Sequence, residues 1–94
     1  MEEYMGTILQ FAFNFSPRQW MVCHGQVLAV STNQALFALL GTTYGGNGIV
    51  TFNIPDLRKK DKDGNYYVVG QIMEDGTPYI DSYICVAGIF PTRD

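Results

Sequence analysis

The run from Asn33 to Gly41 most limits what this chain can build. Ala35, Leu36, Phe37, Ala38, Leu39 and Leu40 follow one another, most of them strong helix formers. Ser31 or Thr32 stands ahead of them as a hydroxyl cap for the free backbone N–H groups, and Gly41 follows where helices commonly stop. The helix this predicts, about residues 33–40, has about two turns and is apolar on more than one side. A helix that short is unstable alone in water, so burial is expected. It is the clearest helix in the sequence, and its neighbours follow a different rhythm.

That rhythm is the period of two that marks strands with one buried face. From Leu9 the chain alternates Leu-Gln-Phe-Ala-Phe-Asn-Phe, a strand within Met5–Phe15 that ends at Ser16-Pro17-Arg18, where proline removes a donor and restricts the residue before it. Trp20–Cys23 and Val27–Val30 flank His24-Gly25-Gln26, which reads as a hairpin with a glycine turn. Ile49–Ile54 alternates and ends at Pro55. Tyr66–Met73 and Tyr79–Phe90 read as further β segments, separated by turns at Asp63-Gly64 and Glu74-Asp75-Gly76. The expected fold class is α+β, mainly β: a compact small domain of antiparallel hairpins with one short buried helix.

Composition narrows the function classes. Ninety-four residues suit one domain, and a core this small leaves stability modest unless neighbours help. Hydrophobic residues make up 47% and charged ones only 16%, against about a quarter charged in ordinary soluble domains. That imbalance points to apolar surface covered by a partner or a second copy. The net charge of −3 lacks the basic footprint that nucleic acid requires. Arg58-Lys59-Lys60 is the one positive cluster, and Asp56, Asp61 and Asp63 surround it as in a solvated loop. Met1-Glu2-Glu3 does not resemble a secretory leader, and no apolar run approaches the roughly 20 residues that span a bilayer. The expectation is synthesis in the cytoplasm without a signal peptide, and no membrane insertion.

The residues that suggest chemistry mostly argue against it. Thr42-Thr43-Tyr44-Gly45-Gly46-Asn47-Gly48 is rich in glycine, but phosphate loops open a helix, whereas this one follows the helix and faces its carbonyl end. A structural loop with positive-φ residues is expected. Asp61-Lys62-Asp63-Gly64-Asn65 lacks the distal bidentate Glu of a calcium loop and reads as a hairpin tip. His24 is the one histidine. It leaves a metal site few ligands, and neighbouring strand residues point to opposite faces, so Cys23 is not its natural partner. Cys23 and Cys85 show no zinc spacing and read first as buried free thiols; whether they pair is left open. No catalytic, metal or cofactor-binding residue and no cofactor is expected. The aromatic residues suit either core and subunit packing or sugar stacking, with Tyr44, Tyr66 and Tyr67 the exposed candidates.

Phe11-Ala12-Phe13-Asn14-Phe15-Ser16-Pro17-Arg18-Gln19-Trp20 closely resembles the opening of tail-collar domain proteins, including the microcystin-dependent protein group. The resemblance continues through Cys23-His24-Gly25-Gln26, the whole of Asn33–Gly48, and Thr51-Phe52-Asn53-Ile54-Pro55-Asp56-Leu57-Arg58. Ala87-Gly88-Ile89-Phe90-Pro91-Thr92-Arg93 is similar to the group's C-terminal signature. Roughly two-thirds of the chain is covered. Such proteins are components of phage tail fibres or collars, often trimeric, with relatives in tail-like injection systems, and are not known as enzymes. Two departures stand out. His24 replaces the usual acidic residue of the Cys-x-Gly-Gln turn, and Lys59–Tyr83 is a short replacement for the long variable segment after the Leu-Arg motif. In short tail fibres that distal part carries receptor contacts and metal sites, so neither carries over to this chain.

The resemblance implies that residues 1–94 form one tail-collar-like domain and act as a non-enzymatic structural or assembly subunit. Its partners would be protein: a homo-oligomer, with a trimer plausible, or other tail or fibre subunits. Its place would be a virion, an injection particle or a surface assembly. The alternative is a small adhesin or glycan-binding module. Tyr44, Asn47, Arg58, Tyr66 and Tyr67 are the candidate ligand or partner surface. Trp20, Cys23, Gly25, Gly41, Gly45, Gly46, Pro55 and Asp56 are the expected structural motif, with Arg18, Trp20, Asp56 and Arg58 as candidate internal locks.

Overall fold

The computed structural model describes residues 3–13 and 15–91. Met1-Glu2 of the acidic start, Asn14 of the first motif and Thr92-Arg93 of the C-terminal one lie outside the described residues. The elements are β1 (Ile8–Gln10), β2 (Trp20–Val22), β3 (Val27–Ala29), α1 (Gln34–Leu40), β4 (Thr51–Asn53) and β5 (Ser82–Cys85). One antiparallel sheet has the order β1-β5-β2, and a second joins β3 to β4. The fold is therefore α+β and mainly β, as the alternating segments and the one helix led us to expect.

Register explains where the core forms. Ile84 lies opposite Ile8 and Met21, whereas Tyr83 lies opposite Leu9 and Val22, and Cys85 opposite Trp20. Because successive side chains alternate, the sheet sends Ile84 and Met21 to one face and Trp20, Val22, Tyr83 and Cys85 to the other. The first face joins Cys23, Leu36, Phe52 and Ile54 in the main core. The second joins Phe11 in a smaller aromatic cluster. Tyr83, Ile84 and Cys85 are consequently all buried in succession, as befits a central strand covered on both sides. Cys23 and Cys85 are both buried and free. They belong to different clusters on opposite faces, which explains why they do not pair.

Several expected elements take another form. Trp20–Cys23 and Val27–Val30 do not make a hairpin, since β2 pairs with β5 and β3 with β4. Gly25, at φ +76°, turns the chain out of one sheet into the other. The alternating strand stops at Gln10. Beyond it Phe11, Phe13 and Phe15 stack ring on ring, with centroids 5.2 and 4.5 Å apart, so ring stacking rather than strand pairing organises this segment. Ile49–Ile54 shortens to β4. Tyr66–Met73 forms isolated bridges, Lys60 to Tyr66 and Ile72 to Pro78, and the long segment from Tyr79 retains only β5 as a strand.

The helix also differs in detail. Its cap position falls to Asn33, whose side chain donates back to the Ala29 carbonyl at 3.0 Å and makes no capping bond. Gly41 ends it as expected, at φ 56°, donating to the Phe37 carbonyl at 2.7 Å. Leu36 is its one fully buried residue, Phe37 and Leu40 are half-buried, and Ala35, Ala38 and Leu39 face outward. Burial of the helix is therefore one-sided, with Leu36 entering the main core beside Phe52 and Ile54.

The ends of the described chain are fastened together. Tyr4 bridges Ile89 in parallel, Met5 N–H donates to the Ile89 carbonyl at 2.7 Å, and Ile89 N–H donates to the Glu3 carbonyl at 2.9 Å. Gly88 permits this approach. A Cβ there would fall on the Glu3 carbonyl and 2.7 Å from the Cys85 sulfur. Gly88→Ala is expected to cost about 1–3 kcal/mol as a local overpacking, with the amide protons of Met5 and Ile89 losing protection first in hydrogen exchange.

The molecule is elongated, 41 × 31 × 25 Å. Its accessible surface of 6228 Å² exceeds the roughly 5,400 Å² typical of a folded monomer of this mass.

Candidate functional site

The crossing between the two sheets gathers several hydrogen-bonded polar side chains, Asn53, Asp56 and Arg58 among them. Gly25 N–H donates to the Pro55 carbonyl at 3.1 Å, Leu57 N–H to the Cys23 carbonyl at 3.0 Å, and His24 bridges Asp56. A Cβ on Gly25 would press on Asp56 Cβ at 3.2 Å, so the glycine lets the two segments close. Asn53 spans the same junction: its N–H donates to the Gly45 carbonyl at 3.2 Å and its Nδ2 to the Gly25 carbonyl at 3.0 Å.

Arg58 closes the crossing. Its Nε donates to Asp56 Oδ1 at 2.9 Å and its Nη2 to Oδ2 at 2.7 Å, a bidentate fork. The same Nη2 reaches the His24 carbonyl at 3.2 Å, and the guanidinium lies 3.9 Å above the Tyr66 ring. The Arg58 hydrogen bonds hold Asp56 below its ordinary 3.8, at about 2. A depressed carboxylate stabilises the fold above its unfolded value and loses that contribution as pH falls through the folded one. The melting temperature should therefore drop between about pH 4 and pH 2. Asp56→Asn should flatten the curve in that window; an identical acid profile would show that the pair contributes nothing, as many exposed ion pairs do.

A second set of contacts ties the distal segment to this crossing. His24 Nε2 lies 3.2 Å from Asp81 Oδ1, and the Tyr79 hydroxyl donates to the same oxygen at 2.7 Å. Burial, followed by the bond to Asp81, raises the Tyr79 hydroxyl above its ordinary range. Tyr67 stacks on Tyr79 at 6.2 Å. Burial, with Asp56 and Asp81 adding to it, pushes the Cys23 thiol up to about 11. Cys23 thus stays protonated near neutrality and supplies no thiolate beside His24.

The glycine loop is built around Asn47. Its Oδ1 accepts from the N–H groups of Ile49, Val50 and Thr51 at 2.8, 2.9 and 3.2 Å, and its own N–H donates to Thr51 Oγ1 at 3.2 Å. Gly45 and Gly46 take φ of +129° and +94°, which few other residues tolerate. The expectation of positive-φ glycines holds, and Asn47 works here as a loop organiser. Tyr44 projects from the loop, half exposed.

The sequence-predicted surface therefore divides. Arg58, Tyr66 and, through Tyr79, Tyr67 come together, with Lys60 4.8 Å from the Tyr66 ring. Tyr44 and Asn47 sit in the glycine loop and make no direct hydrogen bond or ring contact with that group among the described residues. Of the structural set, Trp20 and Cys23 are buried and Pro55 is enclosed. Asp81 and Asn53 carry no mark in the sequence, because their partners His24 and Gly25 lie 57 and 28 positions away. Tyr79 bonds to Asp81 only two positions on, but nothing in the sequence ties that pair to the crossing. Beside this junction a cleft of about 420 Å³ opens between Gln10, Lys59, Asp75, Thr77, Tyr79 and Ser82. Thr77 donates to Asp75 through Oγ1 at 2.6 Å and N–H at 3.0 Å, lowering the Asp75 pKa. Among the described residues no three His, Cys, Asp or Glu side chains gather as a metal ion requires, and no helix is long and apolar enough to cross a membrane.

Comparison with curated proteins and with solved structures gives no match. The family model for the Phage Tail Collar Domain, a structural domain of phage tail fibres, matches residues 6–61. That span holds β1 to β4, the helix, the glycine loop and the Asp56–Arg58 fork, and it exceeds half of the sequence. The chain therefore belongs to the phage tail collar domain family.

Proposed function

We propose that this chain is a non-enzymatic structural subunit of a phage-tail-like or surface-fibre assembly, working through protein contacts with copies of itself or with other tail components. Apolar side chain left on the surface carries this reading. Phe15, Val27, Ile49, Val50, Val68 and Ile72 are each 60% exposed or more, apolar surface of the kind that a protein contact covers. Residues 1–94 act as one unit in this proposal, because β5, beyond the matched span, is the middle strand between β1 and β2. A virion or injection particle is the expected location. An epitope-tagged chain should sediment with tail-like particles in a density gradient; recovery solely at the top of the gradient would refute the assembly role.

Glycan binding is the second reading, favoured by Tyr44, which stands 47% exposed on a loop fixed by Asn47. A glycan-array signal abolished by Tyr44→Ala would support it, and a blank array would remove it.

A further inference from the structure

Asn47 is the one asparagine in this sequence that is followed by glycine. Asparagine is among the heat-labile residues, and its lability depends on its neighbour. The deprotonated amide nitrogen of the next residue can attack the asparagine Cγ, and glycine has no Cβ to obstruct the approach. The new N–C bond closes a cyclic imide. The side-chain nitrogen leaves as ammonia, taking up the proton that the amide gave away. Water then opens the ring at either carbonyl. One opening leaves aspartate in the original chain, and the other leaves isoaspartate, with the chain rerouted through Cγ.

Burial does not protect this pair, since Asn47 is exposed to water. The loop restrains it by hydrogen bonding instead. Gly48 N–H donates to the Thr51 carbonyl at 3.0 Å, which holds the proton that must leave first. An imide nitrogen carries no hydrogen, so ring closure forfeits this bond whatever else moves. On the other reacting group, Asn47 Oδ1 accepts from Ile49, Val50 and Thr51 N–H. Cγ is therefore fixed by three donors at once rather than free to swing onto the nitrogen. Asn47 N–H donates to Thr51 Oγ1 at 3.2 Å, so both reacting groups are tied to the start of β4. The preceding Gly46 lies against the Phe52 backbone, which keeps the loop from shifting unless β4 shifts with it.

We propose that Asn47-Gly48 is a fold-gated deamidation site: the closed glycine loop withholds the reaction, and opening of the loop releases it. The two products differ in what they do to the loop. Aspartate keeps Oδ1 as a carboxylate oxygen, an acceptor at least as strong for the same N–H groups. Isoaspartate adds a methylene to the main chain and turns Oδ1 into a peptide carbonyl, so the acceptor that organises the loop is lost. A chain that dwells unfolded is thereby converted, by a chemical step it cannot reverse, into one that no longer closes the loop. This holds whether or not the chain enters an assembly.

The test is peptide mass spectrometry of the full chain, aged in buffer and in urea at one pH and temperature. A synthetic peptide of residues 44–51, added to both solutions, serves as the internal clock. Position 47 should deamidate at least about tenfold more slowly than the peptide in the folded chain, because even local opening has a cost. In urea it should keep pace with the peptide. The two products, separated by chromatography and refolded, should part in thermal melting: the aspartyl chain with the parent, the isoaspartyl chain well below it. A folded chain that deamidates as fast as the peptide overturns the gating. An unfolded chain that stays intact while the peptide reacts overturns the site itself. An isoaspartyl chain that melts with the parent overturns the claimed loss of the loop.

Discussion

Gly46→Ala is expected to be the most damaging single substitution, at about 4 kcal/mol, from backbone strain and overpacking together. The added Cβ would land on the Phe52 Cα, with the Thr51 carbonyl at 2.6 Å and the Phe52 nitrogen at 2.8 Å. All three obstacles are backbone, so no side chain can swing aside. The residue must also keep φ +94°, in a region L side chains rarely adopt. Phe52 is fully buried beside Leu36 and Ile54, and displacing β4 would open the main core. A small domain has total stability of about 5–10 kcal/mol, so G46A should be largely unfolded at modest denaturant, with its urea midpoint far below that of the parent. Gly64→Ala is the control: its φ is also positive, +85°, but nothing lies within 4 Å of the added carbon. Equal losses at the two positions would show that dihedral strain alone, not contact with β4, governs the glycine loop.

Trp20→Ala should cost about 3–5 kcal/mol, the usual range for removing a large buried aromatic side chain. Trp20 is 8% exposed and meets Phe11 edge to face at 5.3 Å. Phe11 in turn tilts against Tyr83 at 5.3 Å and stacks on Phe13. The cavity would thus open at the root of the aromatic ladder, releasing Phe13 and Phe15 as well. Equilibrium denaturation would measure the loss, and Trp20→Phe should recover part of it. An unchanged midpoint for W20A would mean that the second cluster adds nothing to folding.

These two sites show how far the sequence could be read. Trp20 stood out as the start of an apolar run and as a structural-motif residue, and the run of helix formers ending at Gly41 located α1 almost to the residue. Those signals are local, carried by propensity and chain punctuation. Pairing is not local. His24-Gly25-Gln26 has every mark of a hairpin turn, yet β2 and β3 enter different sheets because β5 and β4 offer longer-range partners. The Phe11–Phe15 alternation signalled an apolar face correctly and its backbone wrongly, since stacked rings satisfy the same pattern without a strand. In the candidate site, Asp56 and Arg58 stood out in the sequence as candidate locks bonding to backbone or neighbouring groups, whereas their fork to each other appears only in the structure. Asp81 did not stand out, because it lies 57 positions beyond its partner His24.

The place of β5 has a consequence for biosynthesis. Ser82–Cys85 separates β1 from β2, two strands translated long before it. While the ribosome is still adding the charged segment, both earlier strands expose the edges that β5 will later occupy, a condition prone to wrong pairing. The three-stranded sheet closes only once the last of its strands has emerged, so contacts distant in sequence should make folding slow for a chain of this size. A message cut short before the codon for Ser82 would yield a protein with its helix and glycine loop but no finished sheet. Emergence of Ser82–Cys85 thereby gates closure of the three-stranded sheet.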